Sequence, residues 1–256
     1  MSRKRRTAAD EPHLLVRTST ADQRGPIAAH THDWHQLIYV RSGLMSVQTA
    51  VGSWIAPPTW AVWVPVGVEH AIRFVGDSAL RTCYLRPAFG APLPTGCRAL
   101  VVSPLLRELI LRATEVGMLD ERDPVEAALA RLIASELDTA SASPSRPPFT
   151  LPEPTGPATS AAARLIADGA PAAAGTARLA RAVGVSPRTL ERRFHAETGM
   201  TLGRWRQHRL LICGLEHIAA GGTVAEAAMT SGYASPSGYV AAFRKAFAAT
   251  PGRYFR

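Results

Sequence analysis

The apolar positions of this 256-residue chain change their period near residue 100. Before that point, short runs rich in Val, Ile, Tyr and Trp alternate with Gly and Pro turns and predict strands at residues 36–40, 44–49, 61–64, 71–74 and 80–85. After it, apolar residues recur every three or four positions, which predicts helices. The chain is therefore expected to be an α+β protein that begins with an antiparallel sandwich or small barrel.

Two amphipathic helices follow the predicted strands. Ser103-Pro104 and Asp123-Pro124 each provide a helix start, and both helices carry apolar residues on one face. We expect a helical hairpin over residues 101–139, which either pairs with a second copy of itself as a dimer or only covers the β-domain. A stretch rich in Pro and Ser then predicts a flexible linker at residues 140–159.

The last third of the chain contains one unit twice. Ala180 and Gly184 return 48 residues later as Ala228 and Gly232, whereas Ser186 and Phe194 return 49 residues later as Ser235 and Phe243. Each copy predicts a helix, a glycine turn and a second helix that starts at a Ser-Pro cap, and residues 202–219 predict a helix that joins the copies. An arginine-rich second helix suits the DNA major groove, whereas two ordinary helical hairpins are the alternative.

The sequence of this repeat resembles that of the AraC/XylS regulators. The run S-P-R-T-L-E-R-R-F from Ser186 is similar to the first half of that family's signature, and T-P-G-R-Y from Thr250 is similar to the end of its second half. The resemblance implies an all-α domain at residues 160–256, in which two helix-turn-helix units joined by a long helix read successive major grooves of a double-stranded operator. It also implies a homodimer and makes RNA polymerase a candidate partner.

The resemblance also implies which side chains meet the DNA. The residues that it places at base edges are Arg188, Glu191, Arg192, Ser237, Val240 and Ala241. Those that it places at phosphates are Ser186, Arg193, Arg206, Arg209, Ser235, Arg244 and Lys245. Because the family commonly has Arg where this chain has Ala241, the second unit is expected to read bases more weakly, through methyl contacts and DNA shape.

The charge distribution agrees with a DNA partner. Of the net charge of +9, residues 160–256 supply 13 basic against five acidic side chains, and four basic residues lie at positions 3–6 of a predicted disordered tail, residues 1–20. Three scattered cysteines and no apolar run of membrane-spanning length predict a cytoplasmic protein without a disulfide framework.

Two motifs in the predicted β-domain, residues 21–100, resemble the paired motifs of cupins. His30 and His32 with Gln36 form the first motif, and His70 ends the second. In metal-binding cupins the position of Gln36 holds a carboxylate. Two interpretations stay open: these four residues hold a divalent metal, or they line a metal-free pocket for a small-molecule effector together with Trp54 and Trp63. By strand alternation His35 should face away from this interior.

The combined expectation is a transcriptional regulator, not an enzyme and without a cofactor, that a small-molecule effector controls from the β-domain. The alternatives are a metal-dependent cupin enzyme or a metal sensor fused to a DNA-binding domain.

Overall fold

A computed structural model describes residues 13–23, 25–50, 52–87, 93–142, 150–168, 175–247 and 249–255. The chain divides near residue 147 into two compact units. The basic residues predicted in the tail, residues 3–6, lie outside the described residues.

The first unit contains two antiparallel sheets, as predicted. Its strands are β1 (Leu14–Gln23), β2 (Ile27–His30), β3 (His35–Val40), β4 (Leu44–Thr49), β5 (Gly52–Ala56), β6 (Trp60–Val64), β7 (His70–Val75), β8 (Ser78–Leu85), β9 (Arg98–Val101) and β10 (Met118–Asp120). One sheet has the order β10-β1-β8-β3-β6-β9, and the other contains β5-β4-β7-β2. All five strands expected from the sequence are present.

The six-stranded sheet is buried on both faces. On one face Ile38 and Val62 share an apolar cluster with Ile72 of the other sheet. On the other face Leu37 and Cys83 pack with helix residues. Successive residues of a strand point to opposite faces, so β3 needs an almost continuous apolar run. The two sheets thus form a β-sandwich whose interior is distinct from its helix-covered face.

Strand β1 corrects the prediction of a disordered tail over residues 1–20. It pairs with β8 over eight residues, from Val16 opposite Leu85 to Gln23 opposite Ser78. Its middle is made of small hydroxyl residues with little apolar signal, and the inter-strand hydrogen bonds, with the burial of Val16, hold it in place.

Two helices pack on the six-stranded sheet. These are α1 (Pro104–Val116) and α2 (Pro124–Ala142). The Ser103 hydroxyl accepts the N–H of Leu106, and the Asp123 carboxylate accepts the N–H of Val125, so both predicted helix starts are confirmed. Helix α2 runs to Ala142, past the start of the linker predicted at residue 140.

The second unit is helical. It contains α3 (Pro157–Ala167), α4 (Thr176–Ala182), α5 (Pro187–Thr198), α6 (Leu202–Ala219), α7 (Val224–Thr230), α8 (Pro236–Phe247) and a 3₁₀ turn at Pro251–Phe255. The two predicted helix-turn-helix units are α4–α5 and α7–α8. Gly184 and Gly232 turn the chain between their helices with φ of 71° and 72°, a conformation that side chains disfavour.

The end of the predicted linker belongs to this helical unit. The Glu197 carboxylate accepts the N–H groups of Thr155 and Gly156 at 3.0 and 2.9 Å, and the indole N–H of Trp205 donates to the carbonyl of Pro152 at 2.8 Å. Helix α3 begins directly after these residues, at Pro157, three residues before the boundary predicted at residue 160. Proline content indicated a linker, but these hydrogen bonds give the segment a fixed path.

Among the described helices, none is both long enough and apolar enough to cross a bilayer.

Candidate functional site

Helix α5 presents a basic surface because its other face is buried. Leu190 and Phe194 are fully buried, and the Phe194 ring meets the Trp205 ring edge-on with centroids 5.5 Å apart. The spacing of these two residues leaves Arg188 and Arg192 exposed on the opposite side, as predicted. Arg193, expected at phosphates, is also exposed.

Glu191 does not have the environment expected of a base-reading residue. Its carboxylate accepts the hydroxyl of Thr176 at 3.1 Å and the backbone N–H of Leu202 at 3.3 Å. These groups lie at the N-termini of α4 and α6, where backbone N–H groups lack helical partners and attract a negative charge. Glu191 therefore joins three helices, which favours a structural role for it over base reading.

Helix α8 repeats the packing of α5 with a different surface. The Ser235 hydroxyl accepts the N–H of Gly238 at 3.1 Å, as the Ser186 hydroxyl accepts that of Thr189 at 3.2 Å. Tyr239 and Phe243 are fully buried. The outer surface contains the predicted residues: Ser237, Ala241, Arg244 and Lys245 are exposed, and Val240 is half-buried.

Arg209, predicted at a phosphate, forms an ion pair within its own helix. Its guanidinium pairs with Glu216 at 3.3 Å, and the two side chains are only 14% and 15% exposed. A partly buried pair of this kind is costly to separate, because each charge would lose its partner. Arg206, the other basic residue predicted on this helix, is half-buried.

Three histidines meet at one end of the β-sandwich. His30 on β2 lies opposite His70 on β7, with ring centroids 4.4 Å apart, and the His32 ring lies 5.0 Å from that of His70. One nitrogen of each imidazole lies within 4.8 Å of the others. The structure thus brings together the three histidines that the paired motifs predicted.

The hydrogen bonds of these histidines determine which nitrogen carries the proton. Each Nδ1 faces a backbone carbonyl: Ala28 for His30, Trp34 for His32 and Val68 for His70. A carbonyl only accepts, so in His30 and His70 the proton is on Nδ1 and the lone pair on Nε2, whereas both ring nitrogens of His32 face an oxygen. Burial lowers the pKa of His70 to about 4 and also lowers that of His32, which favours neutral rings.

Gln36 connects the histidines to the six-stranded sheet. Its Oε1 lies 2.8 Å from His32 Nε2, and its Nε2 donates to Thr82 and Tyr84 at 3.1 and 3.2 Å. The guanidinium of Arg17 lies 4.8 Å from the centre of the Tyr84 ring.

Sequence reasoning missed Arg17, Thr82 and Tyr84. Arg17 of β1 and Gln36 of β3 each lie opposite Tyr84 of β8. These residues can be recognised as neighbours only once the pairing register of the three strands is known.

The two predicted pocket tryptophans have different positions. Trp54 packs in the interior cluster of the β-sandwich. Trp63 lies on the helix-covered face, where its indole N–H donates to the Pro94 carbonyl at 2.8 Å, so it does not line the interior. It stacks on His35 at 5.2 Å, and His35 thus faces away from the other histidines, as expected. Trp63 was misassigned because its apolar character alone does not tell one buried face from the other.

Comparisons with known proteins match two family models to this chain. A model described as an AraC-like ligand binding domain matches residues 12–164, and one described as a helix-turn-helix domain matches residues 179–256. The HTH-type transcriptional regulator NimR of Escherichia coli K12 is 30% identical over 243 residues, which cover 94% of this chain and 86% of NimR.

The chain is also similar to two solved structures of bacterial regulators. The AraC-type DNA-binding domain of a Chromobacterium violaceum regulator is 22% identical and covers 39% of this chain and 89% of its own, with a TM-score of 0.36. Fatty-acid-bound ToxT of Vibrio cholerae is 12% identical over 94% of both chains, with a TM-score of 0.38.

Proposed function

The chain belongs to the AraC-like transcriptional regulators, and from this we propose that it binds an operator with α5 and α8 in successive major grooves, under the control of an effector in the β-sandwich. The matching family models describe a ligand-binding domain and a helix-turn-helix domain. The observation that carries the DNA-reading proposal is the pair of Ser-capped helices, α5 and α8, each packed on one face and exposed on the other. As a DNA-binding regulator it acts in the cytoplasm and catalyses no reaction.

The two helices contribute unequally to DNA recognition. Arg188 and Arg192 are exposed one helical turn apart on α5 and suit guanine, whose O6 and N7 accept two hydrogen bonds from one guanidinium. On α8 the base-facing residues are Ser237, Val240 and Ala241. The phosphate contacts that we retain are Arg193, Arg206, Arg244, Lys245 and the helix starts at Ser186 and Ser235.

For the effector we propose the interior end of the β-sandwich. Apolar residues of both sheets, including Trp54, lie in this interior, and His30, His32, His70 and Gln36 supply polar groups at one end. Within the described chain, His70 Nε2 and the indole nitrogen of Trp34 are buried without a hydrogen-bond partner. Buried polar atoms are usually paired, so a ligand that donates a hydrogen bond to the His70 imidazole would satisfy that nitrogen.

A divalent metal ion is the second candidate occupant, as the signal itself or as part of the effector site. The residues fit such an ion, because the carbonyl contacts of Nδ1 leave His30 and His70 with an unprotonated Nε2. Moreover, the 2.8 Å between His32 Nε2 and Gln36 Oε1 suits neighbouring ligands of one ion, which lie about 3 Å apart at usual bond lengths. A bound metal would supply a positive charge for an oxygen or nitrogen atom of the effector.

Titration with Co²⁺, followed by its visible absorption, tests the metal. One Co²⁺ per chain in wild type and His35→Ala, and none in His70→Ala, supports the site. Absence of binding in wild type supports the metal-free pocket, in which a rotated Gln36 amide donates to His32.

We propose that the homodimer forms through the α1–α2 hairpin. Leu105, Val125 and Leu132 expose 52%, 74% and 50% of their surface on these helices, more than is usual for large apolar side chains. Contact of the DNA-bound dimer with RNA polymerase would then set transcription. Sedimentation should show a dimer that Leu105→Glu with Leu132→Glu converts to a folded monomer.

Genome-wide mapping of bound DNA tests the proposed function as a whole. We expect discrete sites for wild type and their loss in an Arg188→Ala, Arg192→Ala double variant of equal abundance. If wild type occupies no discrete sites with or without candidate effectors, the proposal is wrong.

A further inference from the structure

The groove-facing surfaces of α5 and α8 differ in chemistry at matched positions. Counted from the Ser-Pro caps, Arg188 of α5 corresponds to Ser237 of α8, and Arg192 corresponds to Ala241. All four side chains are exposed. The first two turns of α8 therefore lack the cations that α5 carries at the same places.

The remaining groups on this part of α8 are mostly methyl groups. Ser237, Val240 and Ala241 line one shallow surface concavity with Arg244, Lys245 and Thr250. The Ser237 hydroxyl lies 3.1 Å from the Ser235 hydroxyl, which holds it near the helix start. Val240 and Ala241 offer neither donors nor acceptors, so they cannot read the hydrogen-bonding edge of a base pair.

One base feature in the major groove suits such a surface. Thymine alone among the four bases carries a methyl group there, and small apolar side chains recognise it by contact. We propose that Val240 and Ala241 read thymine methyl groups, so that the operator has a thymine-rich half-site under α8 and a guanine-containing half-site under α5. The inference rests on the proposed entry of both helices into the major groove.

Arg244 and Lys245 give α8 its affinity without adding sequence preference. They lie three and four residues after Ala241, are exposed, and flank the concavity. Contacts from such residues to phosphates strengthen binding to all sequences alike. The thymine preference should therefore be modest, about three- to five-fold for each buried methyl group.

Replacing thymine by deoxyuridine tests this directly, because it removes only the methyl group. The full-length protein is first used to select operators from random duplex DNA, and the half-site whose preference Arg192→Ala relaxes is assigned to α5. Deoxyuridine in the other half-site should weaken binding about three- to five-fold for each contacted thymine, whereas deoxyuridine in the α5 half-site should have no effect. Val240→Ala should reduce the deoxyuridine effect, and Arg244→Ala should weaken binding to both DNAs equally.

Two outcomes overturn the inference and separate it from the proposed function. If the protein selects a specific operator but deoxyuridine under α8 changes nothing, thymine reading is wrong and the regulator proposal stands. If the protein selects no sequence at all, the proposed function fails, and the inference fails with it.

Discussion

Glu191 accepts the backbone N–H of Leu202 at 3.3 Å, and this hydrogen bond ties α5 to the start of α6, the helix that joins the two helix-turn-helix units. The other carboxylate oxygen accepts the Thr176 hydroxyl of α4. A charged residue in the middle of a basic helix thus serves the packing of that helix. The DNA-reading face that we propose for α5 consists of the arginines around it.

Glu191→Ala should destabilise the protein by about 1–3 kcal/mol, because it leaves the Leu202 N–H without its acceptor. The bases preferred by the operator should not change. Urea unfolding and binding to a panel of operator variants measure the two effects. As a control, Glu115→Ala removes an exposed pair with Arg112 and should change stability by less than about 0.5 kcal/mol. A changed base preference in Glu191→Ala would show that Glu191 reads bases.

Arg192→Ala should cost about 1–3 kcal/mol of operator binding and relax the preference at one base pair. Arg193→Ala is the matched control, because Arg193 is the neighbouring residue and we propose that it contacts a phosphate. It should weaken binding to all sequences. The slope of the logarithm of the binding constant against the logarithm of the salt concentration should fall by about one in magnitude. Uniform weakening by Arg192→Ala would instead mark Arg192 as a phosphate contact.

Gly214→Ala should destabilise the second unit by about 1–3 kcal/mol, because an added Cβ would lie 2.4 Å from the Ser231 hydroxyl and 2.6 Å from that of Tyr239. Gly203→Ala on the same helix meets no atom within 4 Å and should be neutral or stabilise by up to about 1 kcal/mol, since Ala favours helix. Thermal unfolding compares the two variants, and equal effects would contradict the packing of α6 against α8.

Glu197 should make stability depend on acid pH. Burial acts to raise its pKa, but hydrogen bonds from the Thr159 hydroxyl and from the Gly156 and Thr155 N–H groups outweigh it and lower that pKa. A lowered folded pKa gives stabilisation that is complete above the ordinary value, about 4.3, and is lost as pH falls through the folded value. Between pH 6 and pH 3, Glu197→Gln should therefore lose less stability than wild type. Parallel losses would show that Glu197 does not contribute.

The helix-turn-helix pair was predictable because its signals are local. Ser-Pro caps, a turn glycine and apolar residues four apart lie within about 20 residues, and these signals gave the observed bounds of α6 as well. The histidine site was also predictable in part, because two short motifs contain His30, His32 and His70.

What the sequence did not reveal depends on contacts that lie outside any one short motif. The role of Glu191 depends on Leu202 in another helix, and the ion pair of Arg209 with Glu216 spans two turns of α6 with partial burial that charge alone does not indicate. Strand β1 has little apolar pattern and is stabilised by β8, about 60 residues later in the chain. Such partners become visible only when the elements are placed together.

Operator recognition by α5 and α8 together can be measured by selecting random duplex DNA with the full-length protein at moderate salt. Wild type should enrich one motif with two half-sites about one helical turn apart, and the Arg188→Ala, Arg192→Ala variant should lose the guanine-containing half. Enrichment of no sequence by wild type, or an unchanged motif in that variant, would show that the two helices do not read DNA in this way.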